Sequence, residues 1–321
     1  EELAALERDL PRMGVGERGF AQAQIVQLKQ RLDHIHELRF VLNSQSALRD
    51  ADLLVLDEVS MVGEDMAHDL LSFGKPILVL GDPGQLAPVR GTGFFTQAVP
   101  DVMLTEIHRQ AADSPILRLA TMARHGQEIP FGAFDDQVWK MSRHAVCPAQ
   151  MLQGEQVICG THATRRHLNS AMKTAAGFTA DYPSGAGEKI ICLRNRHDLG
   201  LINGMFLTLS DVQGHPHNDR AFQANVQTDD GLFVPGVQEF WRGEFDDHVR
   251  FDPDRQRREA IACRRLIQSS WGYAITCHKA QGSQWSNVVV FDDGFGRTPD
   301  DRKRWLYTAI TRAEHGLLLL A

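Results

Sequence analysis

The sequence predicts an α/β protein with a parallel sheet and a smaller β-rich insertion, on three observations. Continuous apolar runs, too short for helices, recur at Leu53 to Leu56, Ile77 to Leu80, Val288 to Phe291 and Leu317 to Leu320, with a weaker one at Val157 to Cys159. Runs without alternation mark strands covered on both faces. Helical patterns lie between them, the alternation expected of an α/β sheet. Residues 189–265 differ, because clusters such as Gly214-His215-Pro216-His217-Asn218 and Asp229-Asp230-Gly231 cut that stretch into short strands.

Taken in order, residues 21–42 predict a helix. Ile25, Leu28, Leu32, Ile35, Leu38 and Leu42 recur at three- and four-residue steps, a narrow seam suited to a packed helix or a coiled-coil arm. Ser114-Pro115 reads as N-cap and first helical position, with Ile116, Leu119, Ala120 and Ala123 continuing on one face. The segment from Arg255 to Arg265 is charged and predicts a further helix.

Composition bounds the function. At 321 residues and 43% hydrophobic, the chain can bury a sizeable core and divide into two domains. A formal net charge of −7 argues against a basic coat but leaves room for a locally basic groove. Cys147, Cys159, Cys192, Cys263 and Cys277 form no C-x-x-C pair, which predicts reduced thiols and a cytoplasmic setting. No apolar stretch approaches the roughly 18 residues of a membrane span, so no membrane partner is expected. No secretory signal opens the chain, and its first residue is Glu1, which predicts a cut, processed or incomplete start.

Chemistry concentrates at strand ends. The run Leu53-Leu54-Val55-Leu56 leads into Asp57-Glu58. An Asp there can hold Mg²⁺ through water, and a neighbouring Glu can take a proton from an attacking water. By itself the pair is equally a strand exit with solvated acids. The second run leads into Gly81-Asp82-Pro83-Gly84-Gln85-Leu86-Ala87-Pro88-Val89, where a neutral Gln85 can hydrogen-bond a γ-phosphate or its attacking water. Further on come Thr276-Cys277-His278-Lys279-Ala280-Gln281-Gly282-Ser283-Gln284 and Tyr307-Thr308-Ala309-Ile310-Thr311-Arg312-Ala313. The planar fork of Arg312 suits a transferring phosphoryl group, although a lone helix arginine more often sits on a solvated face.

Together these strings resemble superfamily 1 DNA helicases, most closely the RecD-like branch, with a UvrD-like C-terminal half. Asp57-Glu58 is similar to motif II (Walker B), Gly81 to Val89 to motif III, and Leu104-Thr105-Glu106-Ile107-His108-Arg109-Gln110 to motif IV. Thr276 to Gln284 is similar to motif V, and Tyr307 to Ala313 to motif VI, all in the family's order. The resemblance implies two RecA-like P-loop NTPase domains, the first incomplete, with a small β-barrel-like insertion in the second. The expected division is 1–120 for the first domain, carrying the arm at 21–42, then 121–188 and 266–321 for the second, with the insertion at 189–265.

By the same resemblance, the cofactors are ATP and Mg²⁺. The partner is single-stranded DNA, or a duplex with a single-stranded end, travelled 5′ to 3′. Asp57 is implied to hold Mg²⁺, Glu58 to activate water and Gln85 to sense the γ-phosphate. Arg109 and Arg312 are implied to stabilise transition-state charge, with Gly282 and Gln284 near the nucleotide. Thr276 and His278 are implied to lie near the strand's phosphates. From the residues themselves, Thr161, with Thr164, Arg165 and Arg166, is a candidate for backbone contact or an exposed helix start. Phe95, beside Phe94, is a candidate for base stacking, against packing of at least one ring in the core.

Departures and rivals complete the reading. The chain contains no G-x-x-x-x-G-K-[ST] string, so the family's phosphate cradle is expected upstream of Glu1, and the chain alone is expected to be inactive and aggregation-prone. Gly14 to Gly19 has the dinucleotide-binding spacing but follows no strand, and is read as a surface turn. Ala87 stands where the family often has a second proline, and Gln284 where many members have Glu. The pairs His34/His36 and His215/His217 lack further ligands at metal-binding spacing. Arg194, Arg196 and His197 form a basic lip or a plain surface. The rival functions are a non-catalytic nucleic-acid-binding remnant and an RNA helicase of the same superfamily. Retention of Glu58, Gln85, Arg109 and Arg312 speaks against the first, and no residue identifies how a 2′-hydroxyl would be read.

Overall fold

The computed structural model describes residues 18, 21, 22, 25, 42–89, 91–104, 114–246 and 265–321. Outside the described residues lie most of the expected arm, the Gly14 to Gly19 turn apart from Arg18, His34 and His36, the motif IV string from Thr105 to Gln110 with Arg109, Cys263, and the charged segment up to residue 264. By compactness the chain divides into Glu1–Asp52 with Ser72–Lys75, and Leu53–Leu71 with Pro76–Ala321. In the first unit, Arg18, Ala21, Gln22 and Ile25 are helical, and Ala21 and Ile25 are buried. A 3-10 turn spans Ala47–Arg49, and the Ser46 hydroxyl accepts from the Leu48 N–H to cap it.

The second unit opens with β1 (Leu54–Leu56), helix α1 (Glu64–Leu71) and β2 (Ile77–Val79). β1 and β2 pair in parallel, Leu54 opposite Ile77, as a two-stranded sheet. The burial expected of their apolar runs is not met: Leu53 and Val55 are each 52% exposed and Leu78 is 48% exposed. Two strands make a ribbon too narrow for both faces to be covered, and no third strand joins it among the described residues.

The remaining strands are β3 (Gly132–Ala133), β4 (Val138–Met141), β5 (Gln156–Cys159), β6 (Lys189–Cys192), β7 (Phe206–Gly214), β8 (Ala221–Thr228), β9 (Phe233–Trp241), β10 (Ser269–Trp271), β11 (Ala274–Thr276), β12 (Trp285–Phe291) and β13 (Ala313–Leu320). The remaining long helices are α2 (Pro115–His125), α3 (His162–Ala175) and α4 (Pro299–Ile310). Six strands form the main sheet in the order β11-β5-β12-β13-β4-β3, parallel except for the β3–β4 pair. Here the apolar runs behave as the sequence predicts: Val157, Ile158, Val290, Leu317 and Leu319 are all buried.

α2 begins as expected, with Ser114 as N-cap and Pro115 in the first turn, and ends at Gly126 in the left-handed region. Its buried stripe is Ile116, Leu119, Ala120 and Ala123. The helix packs on α4 and β13, so residues 115–120, assigned from sequence to the first domain, contribute to the layer over the main sheet.

The insertion forms a second, antiparallel sheet in the order β10-β6-β7-β8-β9. Its two ends meet. Ile267, two residues before β10, donates to the Glu239 carbonyl at 2.8 Å and accepts from the Trp241 N–H at 3.0 Å. The sheet therefore closes on itself, which leaves fewer backbone groups unpaired than an open edge would. Its interior is aromatic: Phe222 stacks on Phe240 at 4.9 Å, and Phe245 meets Trp271 edge-on at 5.0 Å. The expected basic lip is partly consumed. Arg196 makes a two-pronged pair with Asp198 and donates to the Arg265 carbonyl at 2.7 Å.

Candidate functional site

The strand ends set the site. β1 runs into Asp57 and Glu58, and the Asp57 carboxylate accepts from the Glu58 N–H at 2.8 Å. Glu58 has φ 51° and ψ 42°, a left-handed conformation that few non-glycine residues adopt. Such strain, of order ~1–3 kcal/mol, concentrates at functional positions. Here it turns the chain into the 3-10 turn Val59–Met61 and buries Val59 and Ser60. Asp57 stays exposed and Glu58 half-exposed.

β2 runs into Gly81 to Val89. Asp82 organises that turn: its carboxylate accepts from the Gly84 N–H at 2.8 Å, lies 3.5 Å from Arg124, and accepts from the Tyr307 hydroxyl. Burial, followed by the Asp82 bond, pushes the Tyr307 phenol up to about 12. Gln85 is buried, and its Oε1 has no partner among the described residues.

Leu86 is where three motif strings meet. Its N–H donates to the Thr308 hydroxyl at 2.9 Å, and its carbonyl accepts from Gln281 Nε2 at 3.0 Å. The same amide nitrogen reaches Ser60 Oγ at 3.4 Å, while Gln281 Oε1 is buried without a partner among the described residues. On the other side of Thr308, its carbonyl accepts from Arg312 Nε at 3.1 Å. Arg312, 4% exposed, also donates to the Ser283 carbonyl at 3.2 Å and to Thr311 Oγ1 at 3.3 Å. It thereby holds the turn containing Gly282, whose φ is 78°. Gln284 lies at the end of that turn, exposed.

Beside this network lies a cleft of about 850 Å³. One wall comes from Leu86 to Val89, Gly91 to Gly93, Thr96 and Gln97. The other comes from Gly160, His162, Thr276, His278, Phe295, Gly296, Arg297, Asp300, Asp301 and Arg304. Thr276 is the N-cap of the single helical turn Cys277–Ala280, which aims His278 at the cleft. Burial holds His278 below its usual pKa, against an opposing hydrogen bond with the Ala87 backbone. Burial lowers His162 as well, helped by Arg165, Arg166 and His278. Both imidazoles are therefore neutral near pH 7.

The candidate residues thus fall into groups. Thr276 and His278 share the cleft, and Gln85 adjoins Leu86, which the Arg312 network holds. Thr161 caps α3, its hydroxyl accepting from the Thr164 N–H at 3.1 Å, between the cleft residues Gly160 and His162. Phe95 is not among the lining residues. It packs edge-on against Phe94 at 5.1 Å, and Phe94 packs against His68 at 5.4 Å. Four further residues enter the site: Ser60, Gln281, Thr308 and Phe295. The first three lie within or beside the quoted strings, but their bonds join segments more than 190 residues apart, which no local pattern reveals.

Known proteins match this arrangement. Residues 272–320 match the UvrD-like helicase C-terminal domain, and residues 13–139 match an AAA domain. The ATP-dependent RecD2 DNA helicase of Deinococcus radiodurans is 26% identical over 287 residues, covering 82% of this chain and 35% of that protein. The chain is thus similar to the RecD-like branch of superfamily 1. It spans about a third of that relative's length. A Pif1 helicase from Bacteroides, solved with ADP-AlF3 and single-stranded DNA, superposes with a TM-score of 0.54 at 16% identity, over 89% of this chain and 75% of that one. The Pif1 helicase of Candida albicans superposes with a TM-score of 0.51 at 17% identity, over 85% and 72%. These likenesses show the RecA-like α/β fold of this chain.

Proposed function

We propose that the chain works as an ATP-driven helicase or translocase on single-stranded DNA, moving 5′ to 3′. The observation that carries this reading is the Leu86 peptide. It lines the cleft and is held by Gln281 on one side and Thr308 on the other, one bond from Arg312. A change at Arg312 therefore has a short covalent and hydrogen-bonded route to the cleft wall.

The residues fit the nucleotide that the reading requires. Gln85 and Gln281 each present a buried carbonyl oxygen without a partner among the described residues, and buried polar atoms in native proteins are normally satisfied. Asp57 offers an exposed carboxylate at a strand end. Among the described residues no three His, Cys, Asp or Glu side chains gather as a metal cage, a pattern that suits Mg²⁺ held by one carboxylate, phosphates and water. Bound ATP with Mg²⁺ supplies the phosphoryl group whose transfer to water drives the cycle.

The chain's own groups do the rest. Asp57 would hold the metal, and Glu58 would take the proton from the attacking water. Gln85 orients that water or the γ-phosphate without adding charge. Arg312, with Arg109, spreads its fork over the developing phosphoryl charge, while Gly282 and Gln284 border the nucleotide. To do this Arg312 must give up its bond to the Thr308 carbonyl, which loosens the Thr308 grip on Leu86. Thr276 and His278 hold the strand in the cleft, with Thr161 at its edge and Phe95 behind its wall.

Phosphate release by the full-length gene product, with and without single-stranded DNA, tests the reading. Stimulation by DNA that disappears in Glu58→Gln is expected. Hydrolysis indifferent to DNA in the parental protein would overturn it.

A further inference from the structure

Phe295 is an aromatic side chain in the cleft wall with its position fixed from several directions. It lies in the loop between β12 and α4, half-exposed, where the sequence Asp292-Asp293-Gly294-Phe295-Gly296 has no helical or strand pattern. Both acids of that loop are engaged. Asp293 accepts from the Thr161 N–H at 2.8 Å and the Gly160 N–H at 3.2 Å, tying the loop to the start of α3. Asp292 accepts from the Gly294 N–H at 3.0 Å and pairs with Arg302. Close approach completes the lock: a Cβ on Gly160 would stand 2.2 Å from the Phe295 Cβ.

The ring's surroundings leave it usable. Beneath it lies Trp305, fully buried, with ring centroids 6.3 Å apart. Beside it His278 approaches edge-on at 5.8 Å and 73°. An edge-to-face neighbour supports an aromatic ring without covering its face. The His278 imidazole stands 73° from the Phe295 ring and borders it next to Thr276. Covering the Trp305 core would need only an aliphatic side chain. A flat ring, clamped by two carboxylates in a cleft that also carries Arg297 and Arg304, is suited to something more.

We infer that Phe295, bordered by His278, is an aromatic platform on which one base of the bound strand stacks, so that the cleft grips bases as well as phosphates. This inference rests on the single-stranded DNA reading above and deepens it. Stacking of this kind is tolerant of sequence, because every base has a π-face, and by alanine substitution it contributes ~1–3 kcal/mol per base. Phosphate contact alone would treat a strand with bases and a strand without them alike.

The test compares binding of the full-length gene product to an oligothymidine and to an abasic oligonucleotide of the same length. The parental chain should prefer the strand with bases. Phe295→Leu, which keeps an apolar cover over Trp305 but removes the flat face, should lose roughly 5- to 150-fold in affinity for that strand. The same variant should bind the abasic strand as the parent does, and Phe295→Tyr should retain the preference. An unaltered melting temperature in Phe295→Leu would show that the core beneath is intact. Equal parental affinity for both strands, or full retention of the preference in Phe295→Leu, would overturn the platform while leaving the DNA reading standing. Failure of the parental chain to bind either strand would overturn both.

Discussion

The β1–β2 ribbon and the main sheet are written in the same apolar language and end up in opposite environments. Leu54 to Leu56 and Leu317 to Leu320 are both unbroken apolar runs in parallel pairing. Yet Leu78 of the ribbon is 48% exposed and Leu319 of the main sheet 1%. What separates them is the number of neighbours. β13 lies between β12 and β4 beneath the layer containing α2, whereas β1 and β2 have only each other among the described residues. Burial is thus a property of the assembled sheet and not of the run. The chemistry divides in the same way: Asp57 and Glu58 leave the open ribbon with solvent around them, whereas Arg312 leaves α4 inside a closed hydrogen-bonded network.

The largest effects should come from the two ends of that contrast. Glu58→Gln should reduce hydrolysis by the full-length gene product to near background and leave nucleotide binding and melting temperature almost unchanged, because the residue touches little beyond its own turn. Turnover at the parental rate would remove Glu58 from the mechanism. Arg312→Ala should lower turnover by roughly 10³-fold, the scale of an arginine finger. Unlike Glu58→Gln, it should also destabilise the fold, since the Ser283 carbonyl loses its guanidinium donor and the Thr308 carbonyl keeps only the Thr311 hydroxyl. Arg312→Lys should rescue neither property fully, because a point charge cannot serve three acceptors in one plane. An Arg312→Ala protein as stable as its parent would mean that the network contributes nothing to folding.

How far the sequence reveals all this follows from the range of each interaction. Strand and helix positions are local, so the runs at Val157, Val288 and Leu317 and the Ser114-Pro115 start of α2 can be read from neighbours alone. Short strands without a long apolar run, such as Val138–Met141 with its Lys140, give no such signal. Closure of the insertion through Ile267 and Glu239 is likewise invisible, because it depends on pairing across the whole sheet. In the candidate site, Asp57, Gln85, Thr276, His278 and Arg312 are legible through their motif strings. Phe295 is not, because its meaning comes from Gly160 and His278, which reach it from other elements. Phe95, conversely, looks available in the sequence and lies half-exposed outside the cleft lining, edge-on to Phe94.

A pair of core substitutions measures the contrast in burial directly. Leu319→Ala should cost about 2–5 kcal/mol, the range for a buried leucine whose cavity cannot collapse. Leu78→Ala should cost under about 1 kcal/mol, since half of that side chain is already in water. Chemical denaturation of both variants gives the comparison. Equal costs would mean that the ribbon is covered in solution.

The subtlest prediction concerns the joint between the two regions. Thr308→Val keeps the side chain's shape but leaves the buried Leu86 N–H without its acceptor. Gln281→Leu removes the donor to the Leu86 carbonyl and to Ser60. Each alone should destabilise by about 1–3 kcal/mol, the cost of orphaning a buried partner. The two bonds clamp opposite ends of neighbouring peptide groups around one residue. Once either is lost, Leu86 can shift, and the remaining bond no longer holds its best geometry. The double variant should therefore cost less than the sum of the singles, with an interaction energy of about 0.5–3 kcal/mol. Phe233→Ala in the insertion, paired with either substitution, is the control and should be additive within about 0.5 kcal/mol. Strict additivity of Thr308→Val and Gln281→Leu would show that motifs V and VI hold Leu86 independently. In that case the cleft wall would have no shared joint through which Arg312 could act on it.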